Sequence, residues 1–224
     1  MTDEASSYRV SLSGRRGRGD DRIGSGGHMD AHEIADKLRA EADDILHGER
    51  GVDRILRSYG KVHYTGSYAL DLMAWPDIDI TMVLDGDPYS FDTFFKMGRE
   101  LAQVEGVDKI EYWNSMNWDV HNLPRGLYWG VRMNSGTWAV PWKIDVWATN
   151  ETEFRMNQEL MKRLSAEMTP EARGLIVEVK HSVITPEGRT PQGSGYYIYE
   201  AVLFKGLRTP REIREYVRQH GIDI

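Results

Sequence analysis

The stretch HYTGSYALDLMAWPDIDI, residues 63–80, places Asp77 and Asp79 one residue apart among isoleucines. Aspartate is depleted in strands because its carboxylate competes with the backbone for hydrogen bonds and is costly to bury. Alternate side chains of a strand share a face, so both carboxylates project together while Ile78 and Ile80 face the opposite side. Two carboxylates this close repel each other unless a cation lies between them, which indicates a metal site.

A glycine and a serine, Gly66 and Ser67, precede the aspartates, between a predicted strand at 61–65 and a predicted short helix at 68–73. Glycine lets the backbone approach a phosphate closely, and the N–H groups at the start of a helix favour an anion. Alternatively, Gly66 is only a tight turn and Ser67 only a helix N-cap, a role that is compatible with phosphate binding. We expect a phosphate cradle in front of the carboxylate pair.

A third carboxylate, Asp145, lies between Ile144 and Val146 in the predicted strand WKIDVWA. A lone buried carboxylate is expensive there, and its cost falls if it joins the other two around a metal. Oxygen ligands suit Mg²⁺, which usually takes one or two carboxylates plus substrate phosphates. Together the cradle and the carboxylates predict phosphoryl or nucleotidyl transfer with two Mg²⁺ ions, which lie roughly 4 Å apart in such sites. Mn²⁺ is the alternative metal.

This ordered set resembles the nucleotidyltransferase superfamily that includes DNA polymerase β. The shared pattern is an apolar strand, Gly-Ser, a spacer, Asp-x-Asp, and a later Asp in an apolar strand, all of which occur within residues 30–150. The resemblance implies an α+β fold, with a polymerase β-like mixed sheet flanked by helices and followed by a C-terminal helical subdomain. It also implies that the three aspartates are the catalytic metal ligands and that Gly66 and Ser67 bind the nucleotide.

The chain divides into three parts by composition and periodicity. Residues 1–28 are rich in Gly, Ser, Arg and Asp without periodicity, and are predicted to be a disordered or tag-like tail. Residues 29–150 combine helical and strand patterns, including a β-meander over 108–148, and form the predicted catalytic domain. Residues 151–224 form the predicted helical nucleotide- or substrate-binding subdomain, with helices predicted at 151–166, 170–184, 195–206 and 209–219.

The helical part carries a second resemblance, in residues 172–208. An apolar helix that contains Lys180 precedes a Gly-Ser-Gly-Tyr sequence that opens another helix. This order is similar to the domain after the catalytic one in archaeal CCA-adding enzymes, poly(A) polymerases and oligoadenylate synthetases. The resemblance implies that Lys180 reaches the triphosphate and that Ser194 and Tyr196 contact the triphosphate and the base. The alternatives are a surface lysine, a helix cap and a packing aromatic.

Aromatic residues are concentrated in the predicted meander. Most are expected in the core, while some are expected to line a pocket for the acceptor or the base by stacking. Trp147 shares the face of Asp145 by strand alternation, so it is the aromatic residue that we expect at the site. The set comprises Tyr112, Trp113, Trp118, Tyr128, Trp129, Trp138, Trp142 and Trp147.

The bulk composition excludes several classes of protein. The net charge of −7 disfavours a general nucleic-acid binder, which normally carries a basic surplus. The absence of cysteine excludes disulfides and thiolate metal sites. No apolar run approaches the roughly 20 residues that span a bilayer, so the expected protein is cytoplasmic and has no membrane partner.

The expected function is transfer of a nucleoside monophosphate from a nucleoside triphosphate, by analogy ATP, to a hydroxyl of a small-molecule acceptor with release of pyrophosphate. Aminoglycoside and lincosamide nucleotidyltransferases are the analogues in size and layout, and the choice of acceptor rests on that analogy. Transfer to RNA or to a protein side chain is an alternative. A nucleotide-binding regulatory or antitoxin-type module without turnover is another, although such a module has no need for three carboxylates.

Overall fold

The computed structural model describes residues 29–116, 124–134 and 137–224, so the predicted tail and Trp118 lie outside the described residues. Within that part of the chain, five strands form one mixed sheet. The strands are β1 (Gly60–Thr65), β2 (Asp77–Leu84), β3 (Val107–Asn114), β4 (Leu127–Met133) and β5 (Trp142–Ala148). Their order is β1-β2-β5-β4-β3, with β2 and β5 parallel and the other neighbours antiparallel.

Helices flank the sheet and make up the C-terminal part. Several begin where a side-chain oxygen accepts a backbone N–H bond from the first turn, as Asp30 and Thr209 do in capping boxes. The helices of the described residues are α1 (Ala31–His47), α2 (Val52–Arg57), α3 (Gly66–Ala69), α4 (Phe91–Leu101), α5 (Glu151–Ala166), α6 (Pro170–Ser182), α7 (Ser194–Leu203) and α8 (Pro210–Gln219).

The two faces of the sheet differ in chemistry, as the alternation in β2 predicts. Ile78, Ile80 and Ile144 are buried on one face, where they share a core with Leu38 of α1 and Phe94 of α4. This burial removes large apolar side chains from water and holds β2 and β5 against the helices. The opposite face carries the acidic side chains, and α5 packs on its β1 and β2 side.

A second core joins the C-terminal helices. Ile176, Ile198 and Ile213 of α6, α7 and α8 are fully buried within it. Ala35 of α1 and Leu72 also belong to this core, so residues from before position 150 complete it. The domain division at residue 150 therefore stays a prediction. None of the helices in the described ranges has the length and apolar content needed to cross a membrane.

The structure shifts some predicted boundaries for local reasons. The short helix predicted at 68–73 lies at Gly66–Ala69, and Asp71 takes a left-handed φ of 57° that a helix cannot continue. Residues 137–141, expected within a strand, are irregular, and β5 begins at Trp142. The meander is confirmed for β3, β4 and β5, which are antiparallel neighbours.

Candidate active site

Three carboxylates meet on the face of the sheet opposite the first core. The parallel register of β2 and β5 places Asp79 directly beside Asp145, and Asp77 projects on the same face. One carboxylate oxygen from each of the three lies within 4.8 Å of the others. The structure therefore brings together the three aspartates that the sequence predicts as metal ligands.

The electrostatics of this cluster favour a bound cation. Burial, followed by the charge of Asp79, raises the pKa of Asp77 well above its usual range. Burial, followed by the charge of Asp145, raises the pKa of Asp79 to about 6. The Oδ1 atom of Asp77 is buried and accepts no hydrogen bond from the described residues. Hard oxygen donors that repel one another fit Mg²⁺, because a divalent ion would relieve this repulsion.

Lys143 is a site residue that the sequence analysis missed. Its ammonium donates a hydrogen bond to Oδ2 of Asp145 and lies 3.6 Å from Oδ1 of Asp77. One positive charge offsets part of the negative charge of three carboxylates and leaves the cluster acidic. The signal was present in the sequence, because Lys143 stands two residues before Asp145 and alternation places both on one face.

Tyr128 is the second missed residue, and it fixes the orientation of Asp145. Its hydroxyl donates a hydrogen bond to Oδ1 of Asp145 at 2.8 Å. Gly130 makes this approach possible, since a Cβ there would lie 2.4 Å from the Tyr128 hydroxyl oxygen. Burial, followed by the charge of Asp145, raises the pKa of Tyr128, which keeps the hydroxyl a proton donor. Trp147, the aromatic expected at the site, packs on Tyr128 with ring centroids 4.7 Å apart.

The glycine of the predicted phosphate cradle lies directly against Asp79. Gly66 has a φ of +63°, and a Cβ there would lie 2.1 Å from Oδ2 of Asp79. Both the backbone conformation and the close approach therefore require glycine. Ser67 follows in α3 and is buried. Phosphate binding by these two residues stays a prediction.

Lys180 is buried between the two parts of the chain, and is not a surface lysine. Its ammonium donates hydrogen bonds to the carbonyl oxygen of Leu72 and to the hydroxyl of Tyr199, at 2.5 and 3.1 Å. Burial lowers its pKa to about 8, while the negative charges of Asp77 and Asp79 act in the opposite direction. The charge of Lys180 therefore interacts with that of the carboxylate cluster. Its contact with a triphosphate stays a prediction.

The remaining predicted residues stand at the start of α7. Ser194 is fully buried, and its hydroxyl donates to the carbonyl oxygen of Pro191 at 2.6 Å. Tyr196 is 45% exposed. Of the hydrogen bonds and ion pairs of the described residues, none joins Ser194 or Tyr196 to the three aspartates. Their contacts with a nucleotide stay predictions.

Comparisons with known proteins find likeness in structure alone. No protein-family model and no curated protein matches the chain. The structure of Cid1 poly(U) polymerase with MgGTP bound is 17% identical and has a TM-score of 0.50, over 74% of this chain and 50% of that chain. A Cid1 mutant bound to MgATP gives the same values. GLD-2, in the non-canonical poly(A) polymerase complex GLD-2–GLD-3, is 13% identical with a TM-score of 0.45, over 78% of this chain and 58% of that chain.

The likeness to the two Cid1 structures confirms the predicted fold. Cid1 belongs to the polymerase β-like superfamily of nucleotidyltransferases, and this chain has that fold, with a mixed sheet flanked by helices. The chain spans about half the length of the Cid1 chains that it matches.

Proposed function

We propose that the chain is a Mg²⁺-dependent nucleotidyltransferase that moves a nucleoside monophosphate from a nucleoside triphosphate to a hydroxyl group. The observation that carries this proposal is the convergence of Asp77, Asp79 and Asp145 within 4.8 Å on one face of the sheet. These three residues would hold the metal, and the triphosphate oxygens add ligands for a second ion. When bound, magnesium neutralises charge on the triphosphate and lowers the pKa of the attacking hydroxyl.

The protein groups have distinct roles in the proposed reaction. The acceptor oxygen forms a bond to the α-phosphorus, the bond from that phosphorus to the bridging oxygen breaks, and pyrophosphate leaves. Asp145 receives the proton of the acceptor hydroxyl as general base. Tyr128 and Lys143 support this role, because each holds one oxygen of Asp145 and so fixes the carboxylate in place.

The nucleotide is proposed to bind between the sheet and the C-terminal helices. Gly66 and Ser67 offer backbone N–H groups to its phosphates. The buried ammonium of Lys180 supplies a positive charge that attracts the β- and γ-phosphates. Ser194 and Tyr196 at the start of α7 remain the proposed contacts to the triphosphate and the base.

For the acceptor, the comparisons favour RNA over the small molecule expected from the sequence. The Cid1 structures that support the fold are named as structures of a poly(U) polymerase. None of the comparisons supports a small-molecule acceptor. We therefore include an RNA hydroxyl in the proposal, in place of the aminoglycoside-type acceptor.

A product screen tests the proposal. The protein is incubated with Mg²⁺ and each of four α-labelled triphosphates, against single-stranded RNA, a pool of small hydroxyl compounds and a pool of proteins. We expect labelled RNA with the wild type, none with Asp79→Asn or Asp145→Asn, and wild-type yield with Asp92→Asn on α4. A screen without any labelled product, or with equal product from all variants, would contradict the proposed activity. Product on small molecules alone would contradict the RNA acceptor.

A further inference from the structure

An exposed tryptophan lies at the edge of the sheet, on the face that carries Asp77, Asp79 and Asp145, here called the site face. Trp113 of edge strand β3 pairs with Tyr128 of β4, so its side chain projects on the face that carries Asp145. Its side chain is 56% exposed. Large apolar side chains at such exposure are individually common, so the neighbours of Trp113 decide whether it has a role.

Those neighbours form a row that leads to the proposed general base. Trp113, Tyr128 and Trp147 are in register across three strands, with ring centroids 6.0 Å apart for the first pair and 4.7 Å for the second. The hydroxyl of Tyr128 reaches Asp145. Two strand spacings separate Trp113 from the strand of Asp145, about 10 Å. Asp145 is also offset from Trp113 by two residues along the strands. A nucleoside whose base lies on the Trp113 ring bridges this separation together with the reach of the Trp113 and Asp145 side chains.

An arginine on the same face has N–H donors that find no hydrogen-bond acceptor among the described residues. Arg132 stands two residues beyond Gly130 on β4 and shares the site face by alternation. Its Nη2 lies 3.8 Å from a carboxylate oxygen of Glu111, and its buried Nη1 has no hydrogen-bond partner within the described ranges. A guanidinium with unused donors is suited to phosphate. The ligand of this face is therefore expected to carry both a planar ring and a phosphate.

We propose that the face formed by Trp113, Tyr128 and Arg132 is the acceptor subsite, and that it takes the 3′ end of a single-stranded RNA. The terminal base stacks on Trp113, a backbone phosphate binds Arg132, and the terminal hydroxyl lies beside Asp145. This inference rests on the proposed function, because it assigns the acceptor of that same reaction. Recognition by one ring and one guanidinium needs no long basic track, in agreement with the net charge of −7.

Substitutions on this face test the subsite with a matched control. Trp113→Ala and Trp113→Phe are compared with Phe91→Ala, because Phe91 is similarly exposed at 47% but lies on α4, which packs on the opposite face. Steady-state kinetics with a short labelled oligonucleotide give KM for RNA and for the triphosphate. Fluorescence anisotropy of the same oligonucleotide gives binding without turnover, and circular dichroism checks the fold.

We expect Trp113→Ala to raise KM and Kd for the oligonucleotide about tenfold, as the loss of one base–aromatic stack predicts. Trp113→Phe retains most of the affinity, Phe91→Ala changes neither constant, and KM for the triphosphate stays at its wild-type value. Arg132→Ala weakens RNA binding. It also makes the plot of log K against log salt concentration less steep, by the amount expected for the loss of about one phosphate contact.

The outcomes separate this inference from the proposed function. If the wild type extends RNA and Trp113→Ala does so with unchanged KM and Kd, the subsite is wrong and the function stands. If the wild type labels no acceptor, the function is wrong, and anisotropy still decides the subsite. In that case unchanged oligonucleotide binding by Trp113→Ala overturns the subsite, while weakened binding supports it.

Discussion

The hydroxyl of Tyr128 donates a hydrogen bond to Oδ1 of Asp145 at 2.8 Å from the neighbouring strand β4. We expect Tyr128→Phe to lower turnover between tenfold and about a hundredfold, because partners that orient metal ligands typically contribute that much. The ring and its packing on Trp147 remain, so KM for the triphosphate changes little. Initial-rate kinetics with Mg²⁺ titration measure the effect. Tyr112→Phe on the other face of the sheet is the control, and equal rates for both variants would contradict this role.

Substitution of Gly66 by alanine has two expected effects, strain in the backbone and a clash with Asp79, and a second glycine allows them to be measured separately. Gly66→Ala and Gly86→Ala both place a side chain at positive φ, which costs about 1–2 kcal/mol of stability. Only at Gly66 does the new Cβ meet Oδ2 of Asp79, whereas a Cβ at Gly86 meets nothing within 4 Å. We expect both variants to lose stability in urea and Gly66→Ala alone to lose Mg²⁺ binding. Calorimetric titration measures the binding, and normal Mg²⁺ affinity in Gly66→Ala would refute the close approach.

Lys143 supplies positive charge to the metal-free carboxylate cluster. Replacing it by Met leaves Asp77 and Asp145 without this neighbour, so we expect the metal-free protein to lose about 1–3 kcal/mol of unfolding free energy. Added Mg²⁺ should restore more stability in Lys143→Met than in the wild type, since the metal then relieves greater repulsion. Urea unfolding with EDTA or with Mg²⁺ gives both values. A Mg²⁺ effect of equal size in the two proteins would count against the ion-pair role.

Asp79 gives the metal-free protein a specific pH dependence. Its pKa is about 6 in the folded state, raised first by burial and then by Asp145, and about 4 in an unfolded chain. Between these values Asp79 binds more protons in the folded protein than in the unfolded chain, so its contribution to the free energy of unfolding falls by about 2 kcal/mol as the pH rises from about 4 to 6. Urea unfolding in EDTA across this range measures the fall.

Two controls accompany the pH series. Asp79→Asn removes the contribution of Asp79 and should make the fall less steep, while Asp77, whose pKa is also raised, still titrates. Mg²⁺ binds the ionised carboxylate, so its addition should raise stability above pH 6 more than at pH 4. Other carboxyls, such as that of Asp53, have lowered pKa values and make stability rise with pH. The difference between the two curves therefore isolates Asp79, and equal slopes for the wild type and Asp79→Asn would contradict its raised pKa.

The sequence predicts the parts of the site that depend on local order. The alternation in β2 places Asp77 and Asp79 on one face, and the glycine before them lies against Asp79 in the structure. The hydrogen bond from Tyr128 to Asp145 could not be predicted from the sequence. It depends on the register of β4 with β5 and on the missing side chain of Gly130. Register is a property of long-range pairing, which local patterns do not specify.

Other differences have equally local causes. Residues 137–141 are apolar enough to suggest a strand, yet Trp138 donates a hydrogen bond to Glu41 of α1. The segment therefore packs against a helix and does not extend the ladder of β5. Lys143 was predictable in principle, since the alternation that selects Trp147 on one side of Asp145 selects Lys143 on the other.

The ammonium of Lys180 links α6 to the segment before β2. Within the described part of the chain, two of its three N–H groups donate to the carbonyl oxygen of Leu72 and to the hydroxyl of Tyr199. The third N–H group is left to donate to another acceptor. A phosphate that arrives there completes the set of acceptors without breaking either existing bond. The bonds of Lys180 to Leu72 and Tyr199 are present without a ligand, so nucleotide binding there would add a third bond to an arrangement of α6, α7 and the segment before β2 that is already formed.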